Sequence, residues 1–213
     1  MNCTNILIEG AIGSGKTTFL KKIASESTLQ HLNIHIVNEP VREWCNSYKE
    51  DLLEKFTADM DNEAAMFQML TQLTIGRMRS NCTTRGICLQ ERSLLSANKV
   101  FAKALTDMNY IKPHHKYIID KQFDMLRENE RISGVIYLDC NTKLAYERVK
   151  ERNHPTDKRL TLEYMNVIQE YYHTFIESIN LPLVICDTST YYDPKDTLLE
   201  IIQIVNNCIK SKI

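Results

Sequence analysis

A chain of 213 residues with 43% hydrophobic and 25% charged residues, six Gly and five Pro, is long enough to bury a sizeable core. That composition excludes a disordered, collagen-like or low-complexity chain. The 26 Lys and Arg nearly balance the 27 Asp and Glu, leaving a net charge of −1. No global field exists to hold nucleic acid or an anionic membrane, so any positive site must be local.

The chain opens on an apolar, β-branched segment expected to be the first strand, Asn5–Glu9. No charged leader or apolar h-region precedes it, so neither a secretory nor a transit peptide is expected. The strand runs into Gly10-Ala11-Ile12-Gly13-Ser14-Gly15-Lys16-Thr17, which satisfies G-x-x-x-x-G-K-[ST], and a helix is expected from Thr18 to Ala24. Strand, loop and helix in this order cradle an anion: backbone N–H groups turn inward and the helix N-terminus adds partial positive charge. Lys16 supplies a point charge to β- and γ-phosphates, and Thr17 a hydroxyl for Mg²⁺.

A second strand is expected at Asn33–Asn38, with Glu39-Pro40-Val41-Arg42-Glu43-Trp44 placing a carboxylate at its tip. Residues 45–82 read as a poorly defined segment followed by a long helix from about Asp61 to Arg79, an insertion where a specificity element belongs. Strand three, Gly86–Gln90, ends in Glu91-Arg92-Ser93, a carboxylate and a guanidinium at one strand tip. After strand four, Gly134–Asp139, come Arg148, Lys150, Arg152, Lys158 and Arg159, cations expected to close over polyphosphate as a lid across 148–159. Pro155 in that stretch is expected to end the preceding helix.

Ile168, Tyr172, Phe175 and Ile179 keep one helical stripe, and Leu198, Ile201, Ile202, Val205 and Ile209 another after strand five, Pro182–Cys186. Alternating strands and helices imply an α/β three-layer P-loop NTPase fold, a five-stranded parallel sheet flanked by helices, in one domain over 1–213. The apolar runs stop short of the ~18 residues that span a bilayer. The seven cysteines, odd in number and without a C-x-x-C pair, read as reduced thiols in a cytoplasmic protein and not as a zinc cluster.

Phosphate-loop proteins divide by what else they carry. Asn98-Lys99-Val100-Phe101 is not the N-K-x-D guanine reader, and no L-S-G-G-Q-like signature is present, which leaves a small-molecule kinase. The order phosphate loop, E-P-V-x-x-W, Phe67-Gln68 on a helix, E-R-S at a strand end and an Arg-rich lid closely resembles the deoxyribonucleoside kinases, from Ile6 to about Asp187.

That resemblance implies roles. Glu39 matches a general base that takes the proton of a nucleoside 5′-hydroxyl as it attacks the γ-phosphate of ATP. Arg92 matches the arginine holding the 5′-oxygen and the transferring phosphoryl group, Glu91 a Mg²⁺ carboxylate beside Thr17, and Arg148 and Arg152 the donor clamp. Gln68 matches the base reader, Phe101 the aromatic that stacks on the base, and Trp44 and Phe67 other walls. Helical spacing puts Thr71 and Ile75 on the face of Gln68. Purine- and cytidine-preferring relatives carry an Arg near the position of Thr71 and an Asp near that of Ala97; their absence points to thymidine. For the sugar 3′-hydroxyl, Thr57 stands where the family has Tyr and Asp157 near its Glu; either these shorter groups reach it through water or another residue such as Tyr48 substitutes. The resemblance also implies a homodimer whose only other partners are small molecules. Thymidylate kinase and a catalytically silent nucleotide-binding module are the alternatives.

Overall fold

The computed structural model describes residues 3–46, 50–79, 86–128 and 130–210. Its sheet is formed by β1 (Thr4–Glu9), β2 (Ile34–Val37), β3 (Ile87–Glu91), β4 (Gly134–Asp139) and β5 (Leu183–Asp187), all parallel in the order β2-β3-β1-β4-β5. All five expected strands are present within two residues of their expected ends. β1 is central, and its side chains alternate between two apolar layers: Leu7 faces one, Ile6 and Ile8 the other.

On the second face lie α1 (Lys16–Ser25) and α10 (Pro194–Lys210). Phe19, Leu20 and Ile23 meet Leu198, Ile201 and Val205 there, each buried apolar side chain contributing about 1.5–3 kcal/mol. Ile202 packs against this layer, while the side chain of Ile209 lies outside the described part. On the first face lie α2 (Val41–Asn46), α3 (Leu52–Ala58), α4 (Met60–Arg79), α5 (Leu94–Ser96), α6 (Lys103–Asp107), α7 (Pro113–Arg127), α8 (Thr142–Arg152) and α9 (Leu162–Glu177). Ile168, Tyr172 and Phe175 of α9 are buried in this layer, as their stripe predicts.

Three expectations need correction, and one element is unforeseen. The helix after the phosphate loop begins at Lys16, two residues before the expected start, because Gly15 is its N-cap in a left-handed conformation. The segment expected to be poorly defined contains the end of α2 and all of α3; Asp51 caps α3 by accepting from the Glu54 N–H at 2.7 Å. Between α5 and α6, residues Ala97–Ala102 form a π-helical turn, which a 3.6-residue pattern cannot reveal. Cys88 in β3 is disulfide-bonded, against the reading of all thiols as reduced; scattered spacing says nothing of Cβ proximity. Cys3, Cys45, Cys140 and Cys186 carry free thiols, and Cys82 lies outside the described residues. Among the described residues no helix is long and apolar enough to cross a membrane.

Candidate active site

Strand order creates the site. With β2, β3 and β1 adjacent and parallel, their carboxyl ends bring Glu39, Glu91 and the Glu9–Gly10 junction side by side. A cleft of about 720 Å³ opens there, floored by the phosphate loop, walled by α2–α4 and roofed by α8 and the turn after it.

The loop is shaped by its glycines. Gly13 has φ 80°, and a Cβ there would sit 2.4 Å from the carbonyl oxygen of Ala145, so the loop packs directly on the backbone of α8. Ile12, Gly13, Gly15, Lys16, Thr17 and Thr18 line the cleft, whereas Gly10, Ala11 and Ser14 support it from behind. The Lys16 ammonium donates to the carbonyls of Gly10 and Ala11, each at 2.8 Å. Burial pushes it down to about 8; Arg92 adds to the effect, and Glu39, Glu91 and Glu9 oppose it.

The Thr17 hydroxyl donates to Glu91 Oε1 at 2.8 Å, and the Glu39 N–H reaches Glu91 Oε2 at 3.5 Å. One hydroxyl and one carboxylate facing a phosphate loop fit Mg²⁺, a hard cation that takes most of its octahedron from water and phosphate oxygens. Arg92 forms an ion pair through Nε with Glu39 Oε1. Its backbone is left-handed at φ 62°, a conformation that costs a non-glycine residue about 1–3 kcal/mol. Ser93 follows at once as the N-cap of α5, in a reciprocal capping box with Ser96. The Arg92 guanidinium lies 4.4 Å from the centre of the Phe101 ring, which the π-helical turn carries.

Farther along, the cleft becomes apolar. Phe67 stacks on Phe56 at 4.7 Å and meets Trp44 edge-on at 5.6 Å; the Trp44 indole N–H donates to Thr74 Oγ1 at 2.9 Å. Gln68, Thr71, Ile75, Ala97 and Phe101 line the same space. The Gln68 side-chain oxygen is buried with no protein partner, while Thr71 spends its hydroxyl proton on the Phe67 carbonyl at 2.9 Å.

The cationic stretch after β4 reaches the cleft with fewer side chains than expected. Of its five cations only Arg148 and Arg152 line the cleft; Lys150, Lys158 and Arg159 are exposed elsewhere. α8 ends at Arg152 with Asn153 left-handed, ahead of Pro155, and the chain turns back through Pro155–Asp157. That turn aims Asp157 at Arg152, which grips it with two bonds of 2.9 and 3.0 Å. Arg148 donates to the Thr188 carbonyl at 2.8 Å, and the Thr188 hydroxyl donates to the Ser14 carbonyl at 3.0 Å, tying α8 to the phosphate loop.

Thr57 lines the cleft near Phe56, and Tyr48 lies outside the described residues. Sequence reasoning does not assign to the site, among others, Phe56 and Tyr164 in the lining and Glu9 and Tyr172 behind Arg92. Glu9 does carry a signal, a carboxylate ending a strand that is otherwise apolar through its second half.

Three relatives set these features in context. The chain is 26% identical to human mitochondrial thymidine kinase 2 over 173 residues, which is 80% of this chain and 63% of that protein. It is 26% identical to a probable deoxycytidine kinase of fowlpox virus over 82% of this chain and 72% of the relative. It is 28% identical to deoxyadenosine kinase of Dictyostelium discoideum over 90% of this chain and 75% of the relative. The chain thus spans less than two thirds of the human protein's length. The family model for deoxynucleoside kinase matches residues 6–210, strand β1 through the last helix, and the chain belongs to the deoxynucleoside kinase family.

Proposed function

We propose that this protein transfers the γ-phosphate of ATP to the 5′-hydroxyl of a deoxynucleoside, with thymidine the preferred acceptor. The observation that carries this reading is the continuity of one cleft: phosphate loop at one end, the Glu39–Arg92 pair in the middle, and an aromatic slot holding the unpartnered Gln68 oxygen at the other. A neutral alcohol is a poor nucleophile, so a carboxylate beside the reacting oxygen is useful. Glu39 takes the hydroxyl proton as the oxygen bonds to the γ-phosphorus and the bond to the departing ADP breaks. Arg92 and Lys16 hold the phosphoryl oxygens, and Arg148 and Arg152 close on the donor. Thr17 and Glu91 would hold Mg²⁺, which neutralises phosphate charge when bound.

The relatives' names point to different bases, thymidine, deoxycytidine and deoxyadenosine, so the choice rests on residues of this chain. Gln68 both donates and accepts, which suits N3 and a neighbouring carbonyl of a pyrimidine. Thr71 and Ala97 are small and uncharged and leave room for a 5-methyl group. One methyl is worth only about 1–3 kcal/mol, so deoxycytidine and deoxyuridine are expected as slower substrates.

Turnover of the four deoxynucleosides and of thymidine monophosphate, with ATP and Mg²⁺, tests the proposal. Thymidine should give the highest kcat/KM, and Glu39→Gln should cut kcat by about 10²–10⁴ while thymidine still binds. Turnover of the monophosphate alone would make the protein a thymidylate kinase. ATP binding without transfer to any acceptor would make it a silent module.

A further inference from the structure

Arg92 has a buried side as well as a catalytic one. Its Nη1 donates to the Tyr172 hydroxyl at 2.8 Å, and that hydroxyl donates to Glu9 Oε2 at 3.1 Å. The other oxygen of Glu9 accepts from the Ser93 hydroxyl. Glu9, Ser93 and Tyr172 are all completely shielded from solvent, and none lines the cleft. A phenol has one proton to give, so the direction of the chain is fixed: guanidinium to phenol, phenol to carboxylate.

The guanidinium is therefore held on two edges, by Glu39 on the cleft side and by Tyr172 on the far side, with Phe101 over its plane. This matters during the reaction. When Glu39 turns its charge to the acceptor hydroxyl, an arginine held by Glu39 alone would either follow it or lose its counter-charge in a poorly solvated site. Glu9, reached through Tyr172, leaves Arg92 a second anchor that no substrate displaces.

We propose that Tyr172 and Glu9 are positioning residues that lock the Arg92 guanidinium in place independently of Glu39, an inference that rests on the kinase reading above. The three positions lie far apart in sequence, at 9, 92 and 172, and only the adjacency of β1, β3 and α9 joins them.

Tyr172→Phe keeps the ring that packs against Tyr137, Phe101 and Phe175 and removes only the hydroxyl. Its kcat with the best deoxynucleoside should fall about ten- to hundredfold, the scale of a small misplacement at the reacting atoms. KM for both substrates should stay within about threefold. Glu9→Gln should act in the same direction, and the double variant should lose little more than the worse single one, because both break one chain. The Arg92 Nε–H resonance in NMR should be protected in the wild type and broadened by exchange in Tyr172→Phe. Wild-type kcat in Tyr172→Phe, a rise in KM alone, multiplying losses in the double variant, or an unchanged Arg92 resonance would each overturn the proposal. Should the wild type phosphorylate no nucleoside, the kinase reading falls, and the Arg92 resonance still decides whether the anchor exists.

Discussion

Lys16 is buried against the loop it serves, and its two carbonyl bonds must be traded for phosphate oxygens when a triphosphate arrives. Burial holds its ammonium down to about 8, so below that pH it carries the charge that attracts phosphate and above it a neutral amine remains. kcat/KM for ATP, which reports the free enzyme, should therefore fall along an alkaline limb near pH 8. Stability should move the opposite way. Between about 8 and the ordinary lysine value of 10.5 the unfolded chain binds more protons, so the folded state gains as pH rises through that window. Rates and thermal unfolding measured on the same buffers check both signs, and an ATP profile flat to about pH 9.5 would contradict the first. At this scale short motifs in the sequence single out Lys16, Thr17, Glu39, Glu91 and Arg92, and the structure brings all five into one cleft. The sequence hides those whose partners come from elsewhere. Nothing local joins Glu9 to Tyr172, and counting cations in the lid cannot show that Arg152 spends its fork on Asp157.

The contact between the phosphate loop and α8 is an element-scale feature with a single-atom test. Gly13→Ala would set a methyl 2.4 Å from the Ala145 carbonyl and 3.1 Å from Val149 Cγ2, at a φ of 80°. Gly15→Ala meets nothing within 4 Å and bears only the strain of its φ of 94°. Gly15→Ala should therefore cost about 1–3 kcal/mol of stability with the loop nearly in place. Gly13→Ala should cost more, and should weaken ATP binding further by pushing the loop off α8. Melting temperature and ATP affinity of the pair check this, and equal losses in the two would mean that strain alone governs. Elements themselves were legible wherever burial on both faces of a strand, or one face of a long helix, imposed a pattern. Ile6, Leu7 and Ile8 are all buried because helices cover both sides of β1, which is what a continuous apolar run records. The short helices α2 and α3 were not legible, since six or seven residues hold too few periods, and α3 is announced only by its Asp51 cap.

For the whole molecule, α4 and α7 form a layer with two different faces. They grip each other through Gly76 against Leu126 and through the Gln122 amide, which donates to the Met69 carbonyl at 2.7 Å. One side of α4 turns Gln68, Thr71 and Ile75 into the cleft. Away from it, Met66 and Leu73 of α4 and Tyr117, Ile118 and Met125 of α7 are 52%, 48%, 64%, 49% and 65% exposed. Met66 and Leu73 are seven residues apart, as are Ile118 and Met125, so each pair lies along one helix face and is not scattered. Exposed apolar side chains gathered on two adjacent helices suit an interaction surface, and a two-fold axis would pair such a patch with itself. The homodimer that the family resemblance implies would use this face and brace the helix that carries Gln68. Light scattering should find a dimer, and Met66→Glu combined with Met125→Glu should give a folded monomer, because two charges facing their own copies would be desolvated without partners. ATP binding should survive in that monomer, since no residue of the phosphate loop belongs to the patch. A wild-type monomer at every concentration tested would refute the dimer, and a charge-bearing variant that still dimerises would move the interface elsewhere.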